Sequence, residues 1–242
     1  QYFGHLPSGE RAARPNVIPI PENETRTVTY VDRVKLPRVY LAWHTPALYE
    51  EGDAEMDLLA SLLTGGKSSA LYQPLVFEKQ IAKEVFAFQV SRALGSYFVI
   101  AATAAPGQDI DHLTETLQAE VHTALSQPPT NQAFTRASNE WRKSFYTRVE
   151  SVMDRAHQLS TYEHLLGKAN AFSFDLERYT KVTPQSVTAA GQHWIQTKKP
   201  LIVRVVPQEQ QPKIDRTSPP VLAKSKPWQP PKVDEFTLEN GL

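Results

Sequence analysis

The chain has 242 residues, enough for one large domain or two small ones with a real core. Lysine plus arginine balances aspartate plus glutamate at 26 each, so no global field draws it to nucleic acid or an anionic membrane surface. The absence of cysteine excludes a disulfide framework, a thiolate metal site and a cysteine nucleophile, and no apolar run reaches the ~18 residues of a membrane helix.

Proline-rich stretches at 7–21 and 207–231 read as linkers, because proline removes amide donors and biases its predecessor toward extended backbone. The folded unit is predicted over 25–206. Within it, Val28 and Tyr30 alternate with polar neighbours, and Val39 to Trp43 form a β-rich run. Met56, Leu59, Leu62 and Leu63 recur at helical spacing until Gly65 and Gly66 stop the helix. A second helix is predicted from Ser68, as its cap, through Leu71, Leu75 and Phe77, with Pro74 kinking it or ending it early. Phe86, Phe88 and Val90, then Tyr97 to Ala102, read as an antiparallel hairpin around Leu94, Gly95 and Ser96.

The second half reads as helical. Ile110, Leu113, Leu117, Val121 and Leu125 share one face behind an Asp109 cap, and Thr183 followed by Pro184 starts a last helix through Val187, Ala190 and Trp194. Two or three more helices belong between Thr130 and Tyr179, and Leu201 to Val206 returns as a strand. This order predicts an α+β fold, a mostly antiparallel sheet with helices packed on one face. Trp43, Phe86, Phe88, Tyr97, Phe98, Leu113, Leu117 and Trp194 are assigned to its core.

Chemistry-bearing patterns are sparse. A metallopeptidase helix needs two histidines one turn apart beside a glutamate, and neither His-Glu-x-x-His nor His-x-x-Glu-His occurs. The seven histidines, His5, His44, His112, His122, His157, His164 and His193, are scattered. His157 and His164 share a helical face, but two turns, a rise of roughly 10.5 Å, is too far for one zinc. Gly65-Gly66-Lys67-Ser68-Ser69 is partly like a phosphate-binding loop, yet Ser61 stands where that motif needs glycine and a helix precedes it; a helix C-cap explains it better. Glu50, Glu51 and Asp53 favour a helix N-terminus, and Asn23-Glu24-Thr25 matches the glycosylation sequon without other support.

Read in order, several segments together resemble the second domain of the pitrilysin/insulinase metallopeptidases, a family that includes the mitochondrial processing peptidases. They are Leu36 to Trp43 with Thr45-Pro46, Asp53 to Leu59, Leu62 to Tyr72, Gly95 to Phe98 and Val182-Thr183-Pro184. Tyr2 to Pro7 looks like the close of a preceding family domain, and 235–242 like the first strand of a following one, with 1–24 and 207–234 as connections. The resemblance implies that this domain is the non-catalytic half. No residue here is assigned to catalysis or metal binding, and zinc, the cofactor of the parent protein, sits in a sister domain of the same chain or in a paired subunit. It also implies a peptide substrate, a chamber enclosed by the two halves, and a periplasmic or secreted location; no nucleic acid and no membrane insertion are expected. The positions matching the family's peptide-anchoring arginine and tyrosine are Val76 and Lys83, and neither supplies the needed groups. The turn Gly65, Gly66, Lys67, Ser68 and Ser69 is the candidate substrate-chamber loop. Two other readings stay open: a purely structural module like the core subunits of respiratory complexes, and a free-standing binding domain.

Overall fold

The computed structural model describes residues 24–208 and, ahead of them, His5, Pro7, Gly9 and Ala13. The proline-rich stretches and the strand expected at 235–242 lie wholly or almost wholly outside the described residues, as does Asn23 of the sequon. Five strands form one sheet: β1 (Arg26–Asp32), β2 (Arg38–Thr45), β3 (Ala82–Val90), β4 (Ser96–Ala104) and β5 (Leu201–Pro207). Their spatial order is β1-β5-β2-β4-β3, with β1 parallel to β5 and every other pairing antiparallel. Helices α1 (Asp53–Thr64), α2 (Ile110–Ala124), α3 (Asn131–Glu150), α4 (Val152–Leu166), α5 (Phe172–Thr180) and α6 (Pro184–Gly191) complete the layout. The fold is the α+β arrangement expected.

Helix boundaries follow their caps. Asp109 accepts from the Asp111 amide at 2.8 Å to start α2, and Thr183 with Ser186 forms a reciprocal capping box at α6. Val39, Leu41, Trp43, Phe98, Ile100 and Ile202 alternate onto the sheet face that meets Leu58, Leu62, Leu113, Leu117 and Val121 of the helices.

Four expectations are corrected. Ser68 caps no helix: residues 67–71 form turns, and a π-helical segment (Gln73–Glu78) follows, with Pro74 in its first turn, where proline's missing amide costs nothing. Phe77 is 67% exposed and packs into no core. Of the strand aromatics, Phe86, Phe88 and Tyr97 occupy the sheet face opposite the helices, because Val85 and Phe98 take the inward parity; Phe88 is 38% and Tyr97 40% exposed. Trp194 is only half-buried, its ring edge seated against Gly52.

Candidate functional site

The glycine turn arises where α1 runs out of core to cover. Met56, Leu58, Leu59, Leu62 and Leu63 hold the helix down, and its last turn closes when the Gly65 amide donates to the Ser61 carbonyl at 2.6 Å. A Cβ on Gly65 would lie 2.4 Å from that carbonyl oxygen, so any other residue there forces the backbone to shift. Gly66 follows at φ +100°, left-handed backbone that a side chain resists, although the space beside it is open. The Gly66 amide then reaches Thr64 O at 2.9 Å, Ser69 N reaches Gly66 O at 3.1 Å, and the Ala70 and Leu71 amides return to Leu62 and Leu63. The amides of Gly65, Gly66 and Ser69 are therefore spent internally and are not turned outward to cradle a phosphate. Lys67 and Ser68 are exposed; the Ser68 hydroxyl accepts from Arg136 of α3 at 2.9 Å, and Ser69 is buried with its hydroxyl unpartnered.

The turn is tied to the sheet as well. The Thr64 hydroxyl accepts from the Ala87 amide of β3 at 2.9 Å, which occupies an outward amide of that edge strand. A cleft of about 470 Å³ opens here, with Asp57 and Gly65 on one side, Ala87 and Phe88 on another, and Trp141 and Arg148 of α3 opposite. A second, about 500 Å³, lies beyond the turn, between the end of α1, the α2–α3 connection and α6.

Beneath the first cleft is a polar network that sequence reasoning missed. Asp53, read above as a favourable charge at a helix start, is buried and accepts from the Tyr49 amide at 3.1 Å, the Ser91 hydroxyl at 2.5 Å and Arg178 at 2.6 Å. Arg178 also pairs with Asp175 at 3.0 Å, and Asp175 accepts from the Tyr162 hydroxyl at 2.7 Å. Asp57, one turn from Asp53, accepts from the Tyr179 hydroxyl at 2.6 Å, and burial pushes its carboxyl up to about 6, against the opposing effects of that bond and of Arg178. Tyr179 stacks on Trp141 at 3.5 Å. Asp53 and Arg178 stand 125 positions apart, so only three-dimensional pairing discloses them.

On the face away from the helices, Arg38 bonds Thr103 at 2.7 Å, pairs with Glu84 and lies over the Phe86 ring, which stacks with Phe88 at 6.1 Å. Tyr30 on the outer strand β1 is 59% exposed. Among the described residues no three histidines, aspartates or glutamates are grouped to hold a metal ion, so these residues do not fit a zinc site. His157 and His164 both lie on α4; Val76 is half-buried in the π-helical segment and Lys83 is exposed on β3. No helix among the described residues is long and apolar enough to cross a membrane.

A family profile described as the peptidase M16 inactive domain matches residues 1–140. The chain is similar to a protease from Helicobacter pylori, at 20% identity and a TM-score of 0.73, covering 85% of this chain and 50% of that one. It thus spans about half the length of that protein. It is also similar to the inactive peptidase domain of a candidate zinc protease from Bordetella parapertussis, at 22% identity and a TM-score of 0.68, covering 76% of this chain and 98% of that one. A chain of complex III from Candida albicans shares the fold at 14% identity and a TM-score of 0.64, covering 76% and 46%. The comparison with curated proteins returned no match.

Proposed function

The chain belongs to the peptidase M16 inactive-domain family, and from that premise we propose that it is the non-catalytic half of a zinc metallopeptidase of pitrilysin/insulinase type, walling a peptide-binding chamber. The described residues offer zinc no ligand set. Hydrolytic chemistry accordingly belongs to a zinc-bearing sister domain or paired subunit, and this chain encloses and holds the peptide. The observation that carries the reading is the helix-free sheet face. Its aromatics are left partly or largely exposed, Phe86, Phe88 and Tyr97 on β3 and β4 and Tyr30 on the far edge strand, and exposed apolar groups of this kind on β3 and β4 mark a contact with a partner or ligand. Phe88 joins that face to the cleft beside Gly65, so a peptide along the wall would meet the glycine turn. Because the amides of Gly65, Gly66 and Ser69 are internally bonded, contact there would use the other backbone groups of the turn and its side chains. The same reading places the parent protein in the periplasm or outside the cell.

The test uses the parent protein with its zinc-bearing neighbour. Gly66→Val puts a branched side chain into open space at a left-handed position, and it should lower kcat/KM for peptide hydrolysis more than it lowers thermal stability. Unchanged turnover in the folded variant would remove the turn from the chamber. Stoichiometric zinc in the purified 242-residue chain, with chelator-sensitive cleavage, would move the chemistry into this domain. The second reading, a structural module like the complex III chain, predicts no His-x-x-Glu-His upstream in the parent.

A further inference from the structure

The cleft beyond the glycine turn has a composition that selects one kind of ligand. Leu59, Leu62 and Leu63 of α1, Ala133 of α3 and Val187 of α6 wall it. Its volume of about 500 Å³ lies within the range of small-ligand clefts, about 300–1,000 Å³. Among its lining residues Arg136 alone is ionisable. That guanidinium donates to the uncharged Ser68 hydroxyl and has no carboxylate partner among the described residues, leaving donors of its fork available. The cleft also borders the start of α3, where Thr130 caps the helix and the backbone dipole favours negative charge. Neutral polar groups, Thr123, Ser126, Gln127 and Thr188, also line it; the three hydroxyls donate to backbone carbonyls and keep lone pairs to accept.

We propose that this cleft binds the free C-terminal residue of a peptide that ends in a bulky apolar side chain. The carboxylate pairs with Arg136, the side chain enters between α1 and α6, and the preceding amide groups meet the neutral polar lining. An alkyl carboxylate would leave that lining unused, and an amidated or internal segment would leave Arg136 unpaired. The choice of a peptide rests on the chamber reading, since Ser68 and Ala70 make the cleft continuous with the glycine turn.

Titration calorimetry of the 242-residue chain tests it with three probes: an N-acetylated tripeptide ending in leucine with a free carboxylate, the same peptide amidated, and decanoate. The free acid should bind. Amidation or Arg136→Gln should weaken binding about tenfold to a hundredfold, as expected for losing a charge-assisted pair. Ala133→Leu fills the cleft on a helix that tolerates leucine, and should abolish binding with the melting temperature held by circular dichroism. No binding of the acid, equal binding of acid and amide, or binding of decanoate without the peptide would each overturn the assignment. The chamber reading fails separately, through peptide hydrolysis by the parent: a parent that hydrolyses peptides while this chain ignores the acid loses only the cleft.

Discussion

Asp57 makes a prediction whose sign is opposite to the usual one for a carboxylate. Its folded value of about 6 lies above the ordinary aspartate value near 3.9, so between those limits the native state holds a proton that the unfolded chain has lost. Stability therefore falls as pH rises through roughly 4 to 6, and a gap of roughly 2 pH units corresponds to about 3 kcal/mol lost by pH 7. The surroundings account for the direction. Burial is the largest influence and Asp53 on the same helix adds to it, while the Tyr179 hydroxyl, Arg178 of α5 and Arg148 of α3 oppose it without cancelling it. Asp57→Asn removes the titration and keeps an acceptor for Tyr179. Urea unfolding of both proteins at pH 4, 5, 6 and 7 isolates the group, because other titrations are shared. The variant's stability relative to wild type should rise with pH by up to about 3 kcal/mol across the series. A difference independent of pH would show that Asp57 is ionised throughout and that the polar network outweighs its burial.

Other perturbations probe neighbouring parts. Arg178→Ala leaves Asp53 and Asp175 without their cation and should cost about 3–5 kcal/mol in denaturant unfolding, with the loss partly relieved by Asp53→Asn. Gly65→Ala drives a methyl group against the Ser61 carbonyl and should cost roughly 1–3 kcal/mol, read as a lower melting temperature. Phe88→Asp should leave the melting temperature of this domain within a few degrees, since the ring is 38% exposed, yet, on the proposed chamber reading, weaken association with a zinc-bearing sister domain or subunit in a pull-down. Loss of folding there would place Phe88 in the domain's own core.

Legibility in the sequence tracked how local each cause is. Leu113, Leu117 and Val121 recur at a spacing that permits one buried face, and Asp109 and Thr183 cap helices through bonds spanning two or three residues. The hairpin of β3 and β4 needs only a short loop. The resemblance, carried by short segments in fixed order, led to the family that the profile match establishes. The run after Gly66 misled because Ser68 has a capping residue's chemistry, whereas its hydroxyl is engaged by Arg136 from 68 positions away.

Strand alternation divides residues into two faces without saying which face is covered. In β3 the choice lay between Val85, Ala87 and Gln89 on one side and Phe86, Phe88 and Val90 on the other, and hydrophobicity alone favours the second set. The helices cover the first. Ala87 leaves room for α1 to approach until Thr64 bonds the Ala87 amide, and Gln89 is satisfied by Thr45 across the sheet, so the inward set is chosen for fit and pairing. Aromatic residues then remain on a face this domain does not bury with helices of its own. On the chamber-wall reading proposed above, a partner or a bound peptide would cover that face. Residues that contradict the expected core are, under that proposal, the ones to test first for contact beyond the domain.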